Sequence, residues 1–382
     1  MAPSAPMTVR DLNRATLARQ GLLEPLRALS VGAAVERLGS LQAQHPEWPP
    51  VALASRSADA ATADLAFGLS QRQVVRSSLM RITIHTVSAT DLWPMFTVCQ
   101  PMRFAQWRLL TKTDPINSPL GRRVLAAHDV ALSALADGPV SSTELDRLMA
   151  EEVGPTGIAV PRVCWRHLAA IMPLVHVPFD GEGYGRSRYA VASDWLGIAR
   201  PDIDEATARI HVARRYLAAF GPASIDDLVA YVGRGRGGVG VWREAIARLG
   251  DEVVDLHADD GRSLHDLADG PRPPDSTDAP PRLLARWDSL LLSYAPKARD
   301  RIIAPHHRMR VFSKNADVLP TFTIDGFVAG SWKLERSGDS THIGLRPFEA
   351  MPKKLKEPLV DEAERVLAIV APDSARSVHF GA

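Results

Sequence analysis

The order of the pattern constrains this chain most. Three times, helix-period segments are followed by alternating apolar positions that read as strands, then by a turn. In the first run, Thr8 is placed to cap a helix through about Leu26, Ser30 to cap Val31 to about Leu41, and a third helix covers roughly 61–69. The alternation Met80-Arg-Ile-Thr-Ile-His-Thr-Val87 then predicts a strand with Ile82 and Ile84 inward and Arg81, Thr83 and His85 opposite. In the second run, Leu120–Ala136 is helical, Ser141 or Ser142 caps Thr143–Glu152, and Pro161 opens Arg162–Ile171. Strands 174–179 and 186–192 flank the tip Asp-Gly-Glu-Gly-Tyr-Gly. The third run repeats the order with 204–220, 224–232, 241–249 and a hairpin across Asp259-Asp-Gly261. Three helices followed by a hairpin is the plan of a winged helix, so the expectation is a mainly α chain of tandem helix-turn-helix units.

Boundaries follow from composition. Pro271-Arg-Pro-Pro-Asp-Ser-Thr-Asp-Ala-Pro-Pro281 is a polar, proline-rich connector. The division expected is 1–118, 119–200 and 201–270 as three winged-helix units, 271–282 as connector, and 283–382 as a small α+β, β-barrel-like domain. The run Gly233-Arg-Gly-Arg-Gly-Gly238 matches a dinucleotide fingerprint in letters only. The segment before it reads as helix and no βαβ unit surrounds it, so a turn with Arg234 and Arg236 exposed is expected instead.

Function classes narrow by what the residues can do. No apolar run approaches the roughly 20 residues of a membrane span, and Met1–Pro6 lacks a signal-peptide layout. Cys99 and Cys164 have neither pairing nor metal-ligand spacing and read as core thiols in a reducing cytoplasm. No zinc, P-loop or nucleophile-elbow motif is present, and the adjacent pair His306-His307 is poorly placed for joint chelation, so neither metal nor cofactor is expected. Net charge is only +1, yet residues 1–123 carry 14 Lys/Arg against 8 Asp/Glu, whereas 251–269 holds seven acids and one base. A duplex phosphate backbone favours the first region and is repelled by the second.

The stretch Leu41-Gln-Ala-Gln-His-Pro46 carries the candidate chemistry. On a helix, residues two apart diverge by roughly 200°, but on an extended segment they share a side. Pro46 biases His45 away from the α region, so Gln42 and Gln44 are expected to face one spot. Each amide offers an acceptor and two donors and does not titrate. That suits holding a water or a nucleotide edge, although glutamines near a helix end more commonly only cap or meet solvent.

Leu41-Gln-Ala-Gln44, with Asp11–Leu23 upstream and Arg76–Val87 downstream, resembles the winged-helix DNA glycosylases of the AlkZ/YcaQ type. Phe220-Gly-Pro-Ala-Ser224, Arg286-Trp-Asp-Ser-Leu-Leu-Leu292 and the segment from Leu319 to Trp332 match as well, so the resemblance spans nearly the whole chain. The family has a Gln-x-Asp and a Gln-x-Gln branch, and this chain has the latter. The resemblance implies a monomeric, monofunctional hydrolase acting on double-stranded DNA that bears N7-alkylated or crosslinked purines. Gln42 and Gln44 would then be catalytic. Arg76, Arg81 and His85 are candidate phosphate or lesion contacts. Arg299 and Arg301 join them, from a basic cluster Lys297–Arg310 that reads equally well as a solvated loop. His45 is a candidate base or a ring stacked on Trp48. Two other readings remain open: a non-catalytic winged-helix regulator, which would favour a dimer, and a resistance protein that sequesters a reactive drug.

Overall fold

The computed structural model describes residues 5–59, 63–155, 164–178, 187–233, 238–314 and 317–381. Helices and sheets are mixed throughout. Several helices begin at a residue whose side chain caps them. Thr8 and Asp11 close a capping box at α1, Val9–Arg19, the Thr8 N–H donating to the Asp11 carboxylate at 2.9 Å and the Asp11 N–H to the Thr8 hydroxyl at 3.1 Å. Ser30 accepts from the Ala33 N–H at 3.2 Å and starts α2, Val31–Leu38.

Both helices stop earlier than periodicity suggests, and at both a glycine takes a left-handed conformation near the end. Gly21 has φ +64° and Gly39 has φ +79°. At Gly39 an added Cβ would lie 3.0 Å from the Ala219 Cβ, so the chain there needs both a left-handed turn and a close approach. The stretch 120–136 likewise divides into Pro119–Ala126 and His128–Asp137.

The expected strand 80–87 also needs correction. Strands β2, Val74–Ser78, and β3, Ile84–Ser88, are joined by a turn in which Arg81 and Ile82 are left-handed, at φ +53° and +56°. Alternation over eight residues could not reveal the reversal, because an apolar residue packs as readily beside a turn as in a strand. The facing changes with it: His85 points inward at 1% exposure while Ile84 is half-buried.

Strand β1, Leu41–Gln42, lies along β3 with Leu41 opposite Thr86 and Gln42 opposite His85. On the other side β2 pairs with β4, Leu174–Pro178, which pairs with β5, Ser187–Val191. The hairpins of the first two runs thus form one antiparallel sheet in the order β1-β3-β2-β4-β5. The seam is short, Arg76 opposite His176 and Ser77 opposite Val175. The third hairpin, Val253–His257 (β6) with Ser263–Leu267 (β7), stands apart as a two-stranded sheet. The starts of the expected helix at Arg162, the Gly-rich tip at 180–185, and Arg234 and Arg236 lie outside the described residues.

The C-terminal sheet contains β8, Arg282–Leu284, β9, Thr321–Ile324, β10, Phe327–Ser337, β11, Ser340–Pro347, and β12, Ala375–Phe380, in the order β12-β11-β10-β9-β8. It is open, not barrel-like: among the described residues no pairing joins β8 to β12. Helix Lys353–Val370 covers it. Trp332 is buried at its centre, its indole N–H donating at 2.9 Å to the carbonyls of Leu284 and Thr321. A buried ring of that size stabilises the fold by about 3 kcal/mol relative to an exposed one.

Cores do not respect order in the sequence. Val35, Leu38 and Trp48 share one apolar cluster with Trp332, Leu345 and Val366. A second joins Phe96 and Met102 of helix Leu92–Thr111 to Tyr216 and Phe220 of helix Glu205–Phe220. The proline-rich connector is held down by α1: Arg10, Arg14 and Arg19 donate to the carbonyls of Asp275, Thr277 and Pro271 at 2.8, 2.6 and 2.6 Å. None of the helices is long and apolar enough to cross a membrane, among the described residues.

Candidate functional site

The glutamine segment is extended because β3 pairs with it. After the Gly39 turn, Leu41 and Gln42 align with Thr86 and His85, and the Ala43 N–H donates to the Ile84 carbonyl at 2.7 Å. Leu41 and Ala43 are buried at 2% and 0%, so by the two-residue period Gln42 and Gln44 project to the opposite side. Gln42 is half-buried and Gln44 exposed.

Each amide is oriented by one hydrogen bond. Arg81 donates from Nη2 to Gln42 Oε1 at 3.3 Å, and the Ile84 N–H donates to Gln44 Oε1 at 3.3 Å. A carbonyl oxygen carries two lone pairs, so each retains one for a further donor. Arg81 is a hub. Its left-handed backbone turns the side chain back across the site, where it also donates to the Tyr231 carbonyl and, at 3.3 Å, to His85 Nε2. His85 Nδ1 in turn donates to the Thr83 carbonyl at 3.0 Å, which leaves Nε2 as the acceptor. Burial and then the Arg81 charge push His85 down to about 3; burial and then Arg76 do the same to His176. Both imidazoles are therefore neutral at physiological pH and neither serves as a general acid there.

Residues far along the chain hold the two ends of the segment. Before it, the Ser289 hydroxyl donates to the Ser40 carbonyl at 2.8 Å, and Ser40 Oγ lies 3.0 Å from the Tyr231 hydroxyl. After it, His45 stacks on Trp287, with centroids 4.7 Å apart and planes inclined 20°. This corrects the expected stacking on Trp48, which instead turns its ring edge-on to Trp332. Asp288, between these two holders, forms a buried two-pronged pair with Arg56 at 2.6 and 3.0 Å. Ser40, Tyr231, Trp287 and Ser289 were not singled out from the sequence for any role at the site. The only signal was the Arg286–Leu292 motif, which carries no hint of where it packs.

The expected DNA-contacting residues behave differently from one another. Arg76 is 4% exposed and donates to the Ala43 carbonyl from Nε at 3.2 Å and Nη2 at 3.0 Å. Arg301 is fully buried and donates to the Pro222 carbonyl at 2.7 Å. Arg299 is half-buried, donates to the Tyr294 carbonyl at 3.1 Å and lies over Phe312. Arg76, His85 and Arg301 thus turn their polar groups to protein and not to solvent in this structure. Arg81 is only half-buried and lies beside Gln42. The basic excess of the first 123 residues is thus partly internal: Arg14, Arg19, Arg56, Arg76 and Arg103 are all buried.

Beside Gln44 opens a cavity of about 270 Å³, walled by β-sheet residues Ile84, His176 and Tyr189 and by Trp107 and Trp165 from two helices. Gln42 is not in its wall, so it communicates with only one of the two amides. His306, His307 and Glu349 bring three ligand-type atoms within 4.8 Å of one another at a separate surface. His307 Nε2 and His306 Nε2 lie 3.6 and 3.9 Å from the same Glu349 oxygen.

Two amides on one extended segment, each with its oxygen held by one donor, thus stand beside the neutral imidazole of His85. Residues 35–369 match the AlkZ-like DNA glycosylase family, and the chain belongs to that family. It is similar to an interstrand DNA cross-link repair glycosylase of Streptomyces sahachiroi, with 24% identity over 358 residues, covering 88% of this chain and 90% of that protein. The solved structure of the Streptomyces sahachiroi DNA glycosylase AlkZ superimposes with a TM-score of 0.78 over 99% of this chain and 100% of that one. At 21% identity this shows a shared fold.

Proposed function

We propose that this protein is a DNA glycosylase that hydrolyses the N-glycosidic bond of N7-alkylated purines and unhooks interstrand crosslinks formed through N7, and that Gln42 and Gln44 orient the attacking water. The observation that carries the reading is the common facing of these two amides, Gln42 on β1 and Gln44 just after it, each with its oxygen fixed by one donor. Alkylation at N7 makes the purine cationic, so the base departs neutral and needs no proton. What remains is to hold a water against the anomeric carbon while positive charge develops on the sugar. Two fixed carbonyl dipoles supply orientation and electrostatic stabilisation without titrating. Among the described residues no lysine holds or lines this site, which fits simple hydrolysis leaving an abasic site.

On this reading the helix–helix–helix–hairpin runs are winged helices in tandem, and the chain works as a cytoplasmic monomer. Joining two hairpins into one sheet would give duplex DNA a continuous floor beside the glutamines. The test is single-turnover release of N7-methylguanine from a duplex. Wild type is expected to release it, whereas Gln42→Ala with Gln44→Ala abolishes release and leaves duplex affinity within a few-fold. Unchanged release by the double variant removes the amides from the mechanism. A duplex bound without any release by wild type favours the regulator instead, and binding of free drug without DNA favours sequestration.

A further inference from the structure

The cavity beside Gln44 has a chemistry that hydrolysis of a small methyl lesion does not use. Its walls bring together Trp107 and helix neighbour Leu110, Trp165, and the sheet residues Ile84, His176 and Tyr189. The rings pack against one another: Trp165 and Tyr189 have centroids 5.1 Å apart, and His176 and Tyr189 4.5 Å. Gln44 and Leu110 are exposed wall residues, and 49% of Leu110 meets solvent, so the cavity opens beside the reacting amide. At about 270 Å³ it falls just below the roughly 300–1,000 Å³ of drug-sized sites, which matches one planar group better than a whole ligand.

Two positive charges stand in or against its walls. Arg103 is buried, donating to the Ala169 carbonyl at 3.1 Å, and the Arg166 guanidinium lies 5.9 Å from the Trp165 ring centre. A neutral aromatic ring suits these walls, since it stacks on Trp165 and meets a guanidinium through its π face.

Resting on the glycosylase reading above, we propose that this cavity binds a neutral planar aromatic group carried by the N7 adduct, so that the protein selects aryl-bearing alkylpurines over methylated ones. The adduct's ring enters the cavity against the aromatic wall that Trp165 and Tyr189 form together, while the purine stays at the glutamines. Trp165 is here a specificity residue, and neither Gln42 nor Gln44 takes part in the selection.

The experiment compares affinities for duplexes holding N7-benzylguanine or N7-methylguanine on a 2′-fluorinated sugar. The fluorine opposes positive charge on the sugar, so binding is read without turnover. Wild type is expected to bind the benzyl duplex about ten-fold more tightly, as burying one ring implies. The gap should close in Trp165→Leu and persist in Trp165→Phe. Equal affinity of wild type for the two duplexes overturns the proposal, with no variant needed. A gap that survives in Trp165→Leu also overturns it, since the ring then binds elsewhere. If Trp165→Leu weakens both duplexes equally, the cavity takes the base itself and the assignment to the adduct fails. The glycosylase reading is judged separately, by release of N7-methylguanine from the unfluorinated duplex.

Discussion

The hydroxyl of Ser289 donates to the carbonyl of Ser40 at 2.8 Å across 249 residues of sequence. That bond sits immediately before β1, and the stacking of Trp287 on His45 sits immediately after Gln44. A segment of only two paired residues has little stability of its own, so its geometry is set from outside. The two holders come from one short stretch fixed by the Arg56–Asp288 pair, whose side chains are 1% and 0% exposed.

Removing the holders should therefore misplace the amides without removing them. Ser289→Ala leaves the Ser40 carbonyl without this donor and should cost about 1–3 kcal/mol of stability. In Ser289→Ala and Trp287→Ala the single-turnover rate should fall by up to roughly 10²-fold, while duplex affinity changes within a few-fold. Denaturant melts and release kinetics on the same preparations separate the two effects. A rate that tracks only the folded fraction would show that the holders do not position the amides.

Asp288→Ala leaves Arg56 buried and unpaired. Breaking such a pair costs roughly 3–5 kcal/mol, a large share of a domain's stability. Urea melts should show the midpoint shifted accordingly. A midpoint within a few tenths molar of wild type would mean that water or another group replaces the carboxylate.

Arg81 should matter to rate more than to affinity. It donates to Gln42 Oε1 and the Tyr231 carbonyl, and a lysine has no rigid fork to satisfy both. Arg81→Lys is expected to slow release by about ten-fold or more, with the pH profile unchanged. Gln44→Asp should stay active, because a carboxylate at that position adds charge stabilisation and general-base help. Loss of duplex affinity in Arg81→Lys equal to its loss of rate would reassign Arg81 to DNA contact.

Arg76 should not behave as a phosphate contact. It is buried and holds the Ala43 carbonyl between the two glutamines. Arg76→Gln is expected to lower stability by about 1–3 kcal/mol while leaving the salt dependence of duplex binding as in wild type. A slope reduced by about 1 would show instead that Arg76 reaches a phosphate when DNA is bound.

The pH dependences of rate and stability should differ. Release, corrected for spontaneous depurination, should be flat from about pH 6 to 8, since amides do not titrate there and His85 and His176 stay neutral. An acid-side loss of rate that disappears in His45→Ala would overturn the two-amide account. Stability should respond. His85 and His176 have folded values of about 3 and His128 about 4, each lowered first by burial. The unfolded chain thus binds more protons than the folded one between these values and the ordinary histidine value of roughly 6.5. Stability is full above that value and declines as pH falls through the window. Melting temperature against pH should show this decline, shallower in His176→Phe.

Local chemistry made part of this legible. Thr8, Ser30, Ser141, Asp204 and Ser224 each begin a helix as their side chains dictate, because a cap is decided within four residues. The break that leaves Gln42 and Gln44 on one side was legible too, though for an incomplete reason. Pro46 acts locally, but the extended backbone is held by pairing to β3 and by the left-handed Gly39.

What only the tertiary structure decided is everything that depends on partners distant in sequence. A guanidinium reads as a surface charge until its neighbours are known. Arg76 and Arg301 are buried because backbone carbonyls from other segments accept their protons, which offsets the desolvation of the charge. Nor could the pattern of alternation show that β2 would pair with β4, since any two strands with exposed edges offer the same backbone groups. The sequence by itself determined the helix starts named above, the hairpin across Asp259–Gly261 and the break that carries the two amides. The packed fold determined which side chains face inward, which sheets join, and that a serine and a tryptophan some 245 residues away hold those amides in place.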